Sequence, residues 1–516
     1  MSIELKKQDL SISQNIAQNF SQAYAEADVI VPDTKPDVAK VIQATAMCYV
    51  TDKTISGNKI LLDGVLNITI LYLTEKGLVK SIHTKQGFKH NVDVANLVDN
   101  AKLDVQSDVQ NVESLILNSR KLNIKALIGI NISVSVDNSV SVTTGVDEDS
   151  LCHCQQKLKP LAAMCENVVT EQSILVRNTF ELSSGKPPID DILRLDVKVC
   201  NKESKIAGNK ILAKGNLNIS MLYCSDACDG LQTMDTQIPF SEILTLAAGR
   251  EIDNCSLDYS LADVKWTLQQ DLDGENRAVN LEVGLLAKVN ACTQINMDLL
   301  GDLYSTKENI DLKLKNVAIN EVAHRQNAVL NVNEMLSLSP DDAPIEQVYN
   351  CFVTPKVGKT TLNGKHVTVE GVLNAMVLYI SNSTDNQIST INKEFKFANT
   401  FELSDTMKLS QDSAADVNLD VENINYIITG AGEIDLRCML NISIGVIEKR
   451  EYSYISDVEE IADEDDGGAK AYRLRIYFVR NGDTPWSIAK KYRMKVDDLL
   501  AANGDNIVPG QKLILT

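Results

Sequence analysis

SGNKILLDGVLNITILY, residues Ser56–Tyr72, recurs as AGNKILAKGNLNISMLY at Ala207–Tyr223 and again as NGKHVTVEGVLNAMVLY at Asn363–Tyr379. The closing tyrosines are 223 − 72 = 151 and 379 − 223 = 156 residues apart. Gly57, Gly208 and Gly364, Gly64, Gly215 and Gly371, and the Leu-Asn pairs that begin at 66, 217 and 373 all fall in step, so three copies of one domain are present. Gly57-Asn58 and its counterparts are turn dipeptides, and the residues after them alternate apolar with small or polar as far as the tyrosine. That is the pattern of a hairpin and its second strand.

Each copy is approached through prolines and acids: Pro32 to Asp37, Pro187 to Asp191, and Pro340 to Pro344. Apolar residues three apart follow at Val38 and Val41, Ile189 and Ile192, and Ile345 and Val348, which predicts one short helical turn. A phenylalanine comes next at 88, 240 and 395, and the alternating runs 126–136, 279–289 and 433–446 predict further strands. The fold class is therefore mainly β, with three tandem β-rich repeats that satisfy a sandwich or a barrel equally well. The repeated glycines are expected at turns or bulges rather than against a ligand. Asn67, Asn218 and Asn374 are expected to satisfy backbone groups at a strand edge rather than to bind substrate.

The last 45 residues, Tyr472 to Thr516, follow a different pattern. Tyr477 and Val479 share one strand face, Asn481-Gly482 turns the chain, and Asp483 or Thr484 caps a helix that Pro485 opens. Trp486, Ile488, Ala489 and Tyr492 give that helix an apolar side, with Lys490, Lys491 and Arg493 towards its C-terminal end. Val496 to Ala502 predicts a second helix, stopped by Asn503-Gly504, and Pro509-Gly510 leads into a strand from Lys512 to Leu515. The order is βααβ. Leu474, Ile476 and Phe478 alternate on the face opposite Tyr477 and Val479, so they are expected to point outward, where an apolar stripe marks contact with a partner or with the rest of the chain.

Gly482-Asp483-Thr484, Trp486 to Ala489, Val496 to Leu499, Ala502-Asn503 and Pro509 to Leu513 resemble, in order, the motifs of a LysM domain. That resemblance implies a groove for N-acetylglucosamine-containing glycans between the two connecting loops, here Gly482 to Pro485 and Asp505 to Val508. Its candidate residues are Gly482, Asp483, Thr484, Asp505, Asn506 and Ile507, of which the Gly, Asp and Asn residues also suit the turns and caps that any such fold needs. The outward apolar residues depart from the usual LysM pattern, which carries polar residues there.

Charge separates the two parts. The whole chain sums to 50 − 70 = −20, yet Tyr472 to Thr516 holds eight Lys and Arg against four Asp. An acidic body argues against non-specific nucleic-acid or anionic-membrane binding, while a basic module can be steered to an acidic partner. Residues 457–471 carry seven acids against one lysine, which predicts an extended acidic tether. No secretory apolar run is evident near Met1 and no stretch has about 18 consecutive apolar residues, so a cytoplasmic chain without a membrane span is expected. The eleven cysteines are odd in number and scattered, as in a reducing compartment. Cys152-His153-Cys154 with Cys165 lacks the usual gap of a structural zinc site, and Cys224 and Cys228 have no second pair nearby, so no metal and no cofactor is expected. The five histidines do not recur at matching repeat positions, and no nucleophile elbow, P-loop or dinucleotide fingerprint is present, so the chain reads as non-catalytic.

The expected organisation is an N-terminal segment 1–24, repeats at 25–150, 169–305 and 329–456, linkers at 151–168 and 306–328, the acidic tether 457–471, and the LysM module 472–516. Three such repeats followed by one LysM module resemble the SipL family of spore-associated proteins from anaerobic endospore formers. The resemblance implies a spore-coat morphogenetic scaffold in the mother-cell cytoplasm, at the forespore surface, whose LysM module binds the coat ATPase SpoIVA. Leu474, Ile476, Phe478, Pro485 and Trp486 are the expected partner contact. The alternatives are a protein that binds cortex or cell-wall peptidoglycan and an accessory of a wall hydrolase.

Overall fold

The computed structural model describes residues 3–95, 97–147, 153–225, 230–246, 252–339, 342–381, 388–403, 413–430, 432–461 and 475–515. The first repeat contains β1 (Leu5–Ile30), β2 (Val38–Ser56), β3 (Lys59–Thr74), β4 (Val79–Asp93), β5 (Lys102–Asn118) and β6 (Lys121–Val146). The second contains β7 (Cys154–Glu181), β8 (Asp191–Ala207), β9 (Lys210–Cys224), β10 (Leu231–Thr245), β11 (Asn254–Gln270) and β12 (Asn276–Ser305). The third contains β13 (Asn309–Ser337), β14 (Gln347–Asn363), β15 (His366–Ile380), β16 (Ile388–Glu402), β17 (Ala414–Gly430) and β18 (Glu433–Ile461). Every repeat forms two three-stranded antiparallel sheets, β2-β3-β4 and β1-β6-β5 in the first copy. Both sheets feed one core, as Ile60, Ile68 and Tyr72 from β3 meet Ile124, Ile128 and Ile132 from β6. The repeats are sandwiches, because alternation gives each sheet one apolar face and the two faces close on each other.

The signature stretch behaves as its glycines dictate. Gly57, Gly208 and Gly364 take positive φ of 60, 62 and 55° in the two-residue hairpin turn. Gly64, Gly215 and Gly371 instead pair across the ladder with Phe88, Phe240 and Phe397, whose rings lie where a Cβ would be. The third repeat thus uses Phe397, not Phe395, in this role. Tyr72, Tyr223 and Tyr379 are fully buried and donate to the carbonyls of Pro36, Pro187 and Ala343 at 3.0, 3.1 and 3.0 Å, anchoring the approach segment of each copy. Asn67, Asn218 and Asn374 lie on central strands rather than edges, and Asn218 Oδ1 accepts from Gln237 at 2.6 Å.

The expected helical turn is absent. Val38 opens β2, and the register shifts between Val41 and Gln43, Ile192 and Arg194, and Val348 and Asn350 are β-bulges. These bulges follow the expected turns rather than lying within them, and each inserts one extra residue that returns residues three apart to one face, as with Ile192 and Leu195 or Val348 and Cys351. The bulged residues Ile42, Leu193 and Tyr349 turn instead into a shared hub with Leu71, Leu222 and Leu378, where the three repeats meet. A polar lock crosses the hub. Arg194 donates to Gln43 at 2.7 Å, pairs with Asp196 at 2.7 Å and lies over the Phe352 ring at 4.5 Å, while Tyr349 donates to Asp196 at 3.1 Å. These partners come from all three repeats, and burial together with Asp196 pushes the Tyr349 phenol well above its ordinary value. Lys53–Glu171 at 2.8 Å, Lys85–Asp263 at 2.7 Å, Lys288–Asp104 at 2.6 Å and Lys202–Asp420 add ion pairs between copies.

The segments expected as the N-terminal piece and the linkers are largely strand. Beyond the sandwiches, Leu5 to Gln14 pairs with Val136 to Val146, Cys154 to Cys165 with Thr293 to Ser305, and Asn309 to Glu321 with residues 448–461. The start of the expected acidic tether, residues 457–461, belongs to the last of these pairs, and residues 462–471 lie outside the described residues. The three two-stranded ribbons pack on one another through Leu10, Val142, Leu161, Leu299, Ile319 and Tyr454. A bulge at residues 16, 167 and 323 separates each ribbon from its sandwich. It switches the buried face, from Leu10 and Ile12 to Ala23, Ala25 and Ala27, and this breaks the period-two pattern that would have marked a continuous strand.

Candidate functional site: the C-terminal module

The module has β19 (Arg475–Phe478) paired antiparallel with β20 (Lys512–Leu515), and between them α1 (Pro485–Tyr492) and α2 (Val496–Asn503). Thr484 is the N-cap of α1: its hydroxyl accepts from Ser487 N at 3.1 Å, and Ser487 Oγ accepts from Thr484 N at 2.9 Å. Pro485 fills the first helical position, where no backbone donor is needed. Asp483 does not cap. It accepts from Tyr477 Oη at 2.6 Å and Arg480 N at 2.8 Å, and these bonds lower its carboxyl below the ordinary value. Asn503 closes the other end of the fold, donating to Ile514 O at 2.8 Å and accepting from Ile514 N at 2.6 Å. Gln511 accepts from Val508 N at 3.0 Å.

These bonds account for much of the motif. Asp483 and Thr484, both groove candidates, spend their side chains inside the first loop, and Gly482 supplies a φ of 91° there. Asp505 and Asn506 are exposed, while Ile507 packs against the module core.

The partner candidates divide. Tyr477 and Val479 are buried, and Ile476 and Phe478 on the opposite face are 55% and 57% exposed. Ile476 pairs with Ile514, itself 43% exposed, and Lys512 stands over the Phe478 ring at 5.5 Å. An apolar patch therefore crosses both strands. Leu474 lies outside the described residues. Pro485 is half-buried. Trp486 is on neither the sheet face nor open surface: its indole packs edge-on against Tyr304 of β12, with centroids 5.0 Å apart, and its Nε1 donates to Asp302 at 2.7 Å. Lys490 also pairs with Asp302, and Tyr304 Oη donates to Met494 O at 2.8 Å. Sequence patterning missed Asp302 and Tyr304, since nothing local to a β-strand end announces a contact more than 180 residues away.

Elsewhere, His153 Nε2 lies 2.8 Å from Lys307 Nζ, and Cys154 is buried between the ribbons. Cys152, Cys228 and the Cys165 side chain lie outside the described residues. Among the described residues no group of three or more His, Cys, Asp or Glu side chains is placed to hold a metal ion. No helix there is long and apolar enough to cross a membrane.

Comparison with known proteins agrees with this architecture. A family model described as the SipL SPOCS domain matches residues 37–117, 188–269 and 344–429, and a LysM domain model matches residues 477–516. Each SPOCS match spans the second to fifth strands of one repeat, and the structure completes the domain with the long strands on either side. No curated protein and no solved structure matches the chain. Both domain types are binding modules rather than catalytic ones, and the SipL family is associated with sporulation. The chain is thus a tandem array of three SPOCS domains of the SipL family closed by a LysM domain.

Proposed function

We propose that this chain is a non-catalytic morphogenetic scaffold of the spore coat, whose LysM module reads a protein rather than a glycan. In this reading it works in the mother-cell cytoplasm at the forespore surface and recruits a SpoIVA-like coat ATPase for encasement. The supporting observation is the exposed patch of Ile476, Phe478 and Ile514. Clustered apolar side chains on an otherwise charged module favour a desolvated protein contact, and an aromatic anchor carries much of the energy of such contacts. Two of the glycan-groove candidates, Asp483 and Thr484, already have intramolecular partners, which weighs against the sugar alternative.

The test is co-sedimentation of the full chain with purified peptidoglycan, run beside capture on the immobilised coat ATPase. Capture by the ATPase without sedimentation supports the scaffold. Sedimentation without capture overturns it in favour of a cortex or wall glycan binder.

A further inference from the structure

The three ribbons end in the same way, with a bulge at Thr144, Gly301 and Ser456, so their last residues can be compared position by position. One residue after the bulge stand Gly145, Asp302 and Asp457; two after it Val146, Leu303 and Val458; three after it Asp147, Tyr304 and Glu459. The middle position is apolar in all three and packs between the ribbons. The third is acidic in the first and third ribbons and aromatic only in the second. Asp457 is occupied within its own ribbon by Lys313 at 3.7 Å.

Asp302 and Tyr304 instead face the LysM module. Tyr304 is 4% exposed and belongs to the same apolar cluster as Val479, Ile488, Ala489, Leu499 and Leu513. Asp302 accepts from both Trp486 and Lys490, and although desolvation alone would raise its carboxyl, those two hydrogen bonds hold it below the ordinary value. Desolvation raises the Tyr304 phenol to about 12, which keeps it a donor to Met494 O. The module follows the third ribbon in sequence, yet these contacts are all to the second.

We propose that Asp302 and Tyr304 form an intramolecular docking site that fixes the LysM module to the second ribbon and withholds the Trp486 indole from outside ligands. The sheet face with Ile476 and Phe478 takes no part in this contact and stays available. A ligand that needs Trp486 must first displace the module, whereas one that uses only the sheet face binds the docked form. The site stands whichever ligand the module reads, glycan or protein.

The chain has two tryptophans, Trp266 in the body and Trp486 in the module, so ¹⁹F NMR of the full chain labelled with 5-fluorotryptophan reports on both at once. Trp266→Phe assigns the lines. In the unmodified chain the two lines should have similar widths, because both rings ride on one rigid body. Asp302→Ala removes an ionised acceptor shared by two donors and leaves Lys490 without its carboxylate, which should release most of the module from the ribbon. The Trp486 line should then narrow by about twofold or more, because a small module reorients faster than the body, while the Trp266 line stays as it was. Asp457→Ala, the same position in the third ribbon, should leave both lines unchanged.

If Asp302→Ala disturbs the Trp266 line, Lys490→Ala decides, since it removes one donor from the module surface and leaves the ribbon intact; it should narrow the Trp486 line alone. A Trp486 line already narrow in the unmodified chain, or one as broad as that of Trp266 in a folded Asp302→Ala or Lys490→Ala chain, would overturn the docking site.

Discussion

The body and the LysM module treat alternation differently. Along β3 of the body, buried residues alternate with exposed or part-buried ones until Ile70, after which Leu71, Tyr72 and Leu73 are all buried. The second face is covered there because two other repeats close over it at the hub. Along β19 the alternation runs to the end: Tyr477 is buried and its neighbours Ile476 and Phe478 are not. Apolar residues on an outward face thus have two meanings in this chain. At the hub they meet a neighbouring repeat of the same chain, and on β19 they stay exposed among the described residues.

If that contrast is right, substitutions in the body should cost stability and those on the module face should not. The largest effect is expected for Leu222→Ala at the hub, a loss of about 2–5 kcal/mol in denaturant unfolding, because the rigid surroundings of all three repeats leave a cavity. Gly371→Ala should cost about 1–3 kcal/mol, since the new methyl falls against the Lys356 carbonyl and the Phe397 ring and cannot be relieved by a side-chain shift alone. Tyr223→Phe keeps the buried ring and loses the bond to Pro187 O, so about 1 kcal/mol is expected by the same measurement.

A smaller, pH-dependent effect belongs to His83, which lies between the first two repeats with its ring edge-on to Trp266 at 5.1 Å. Desolvation lowers its pKa below 6.5, with the nearby Lys35 and Arg194 acting in the same direction and the Ile192 carbonyl against them. The unfolded chain therefore takes up a proton that the folded chain refuses, and stability falls as the pH drops below 6.5. Above that value the contribution is fully present. Replacing His83 with Gln should flatten the acid limb of the thermal midpoint plotted against pH; an unchanged limb would mean that His83 is not desolvated in the folded chain.

Much of this was legible in the sequence, and what was not has a physical cause. The triplicated hairpin showed through because its glycines and tyrosine do the same work in each copy: turn, close approach to a ring, and anchor to the approach segment. The βααβ module was readable for the same reason, as caps, turns and the buried Tyr477 and Val479 are local features. The approach segments were misleading because Val38 and Val41, Ile189 and Ile192, and Ile345 and Val348 have the three-residue spacing of a helical turn where the chain in fact enters a bulged strand. The ribbons passed for linkers because a bulge reverses their buried face midway along the strand. Trp486 was grouped with the outward residues, and its partner Asp302 is 184 residues away, beyond any local pattern.

The most direct test of the central claim is the affinity of the full chain for the purified coat ATPase, measured for the unmodified protein and for Phe478→Glu, with a thermal melt of each. The Phe478→Glu chain should stay within about 0.5 kcal/mol of the unmodified stability, because the side chain is exposed. Its binding should be at least about 30-fold weaker, the loss expected when a charge replaces an aromatic anchor. Equal affinity from an equally stable Phe478→Glu chain would contradict that claim, leaving the exposed face of β19 without the role assigned to it.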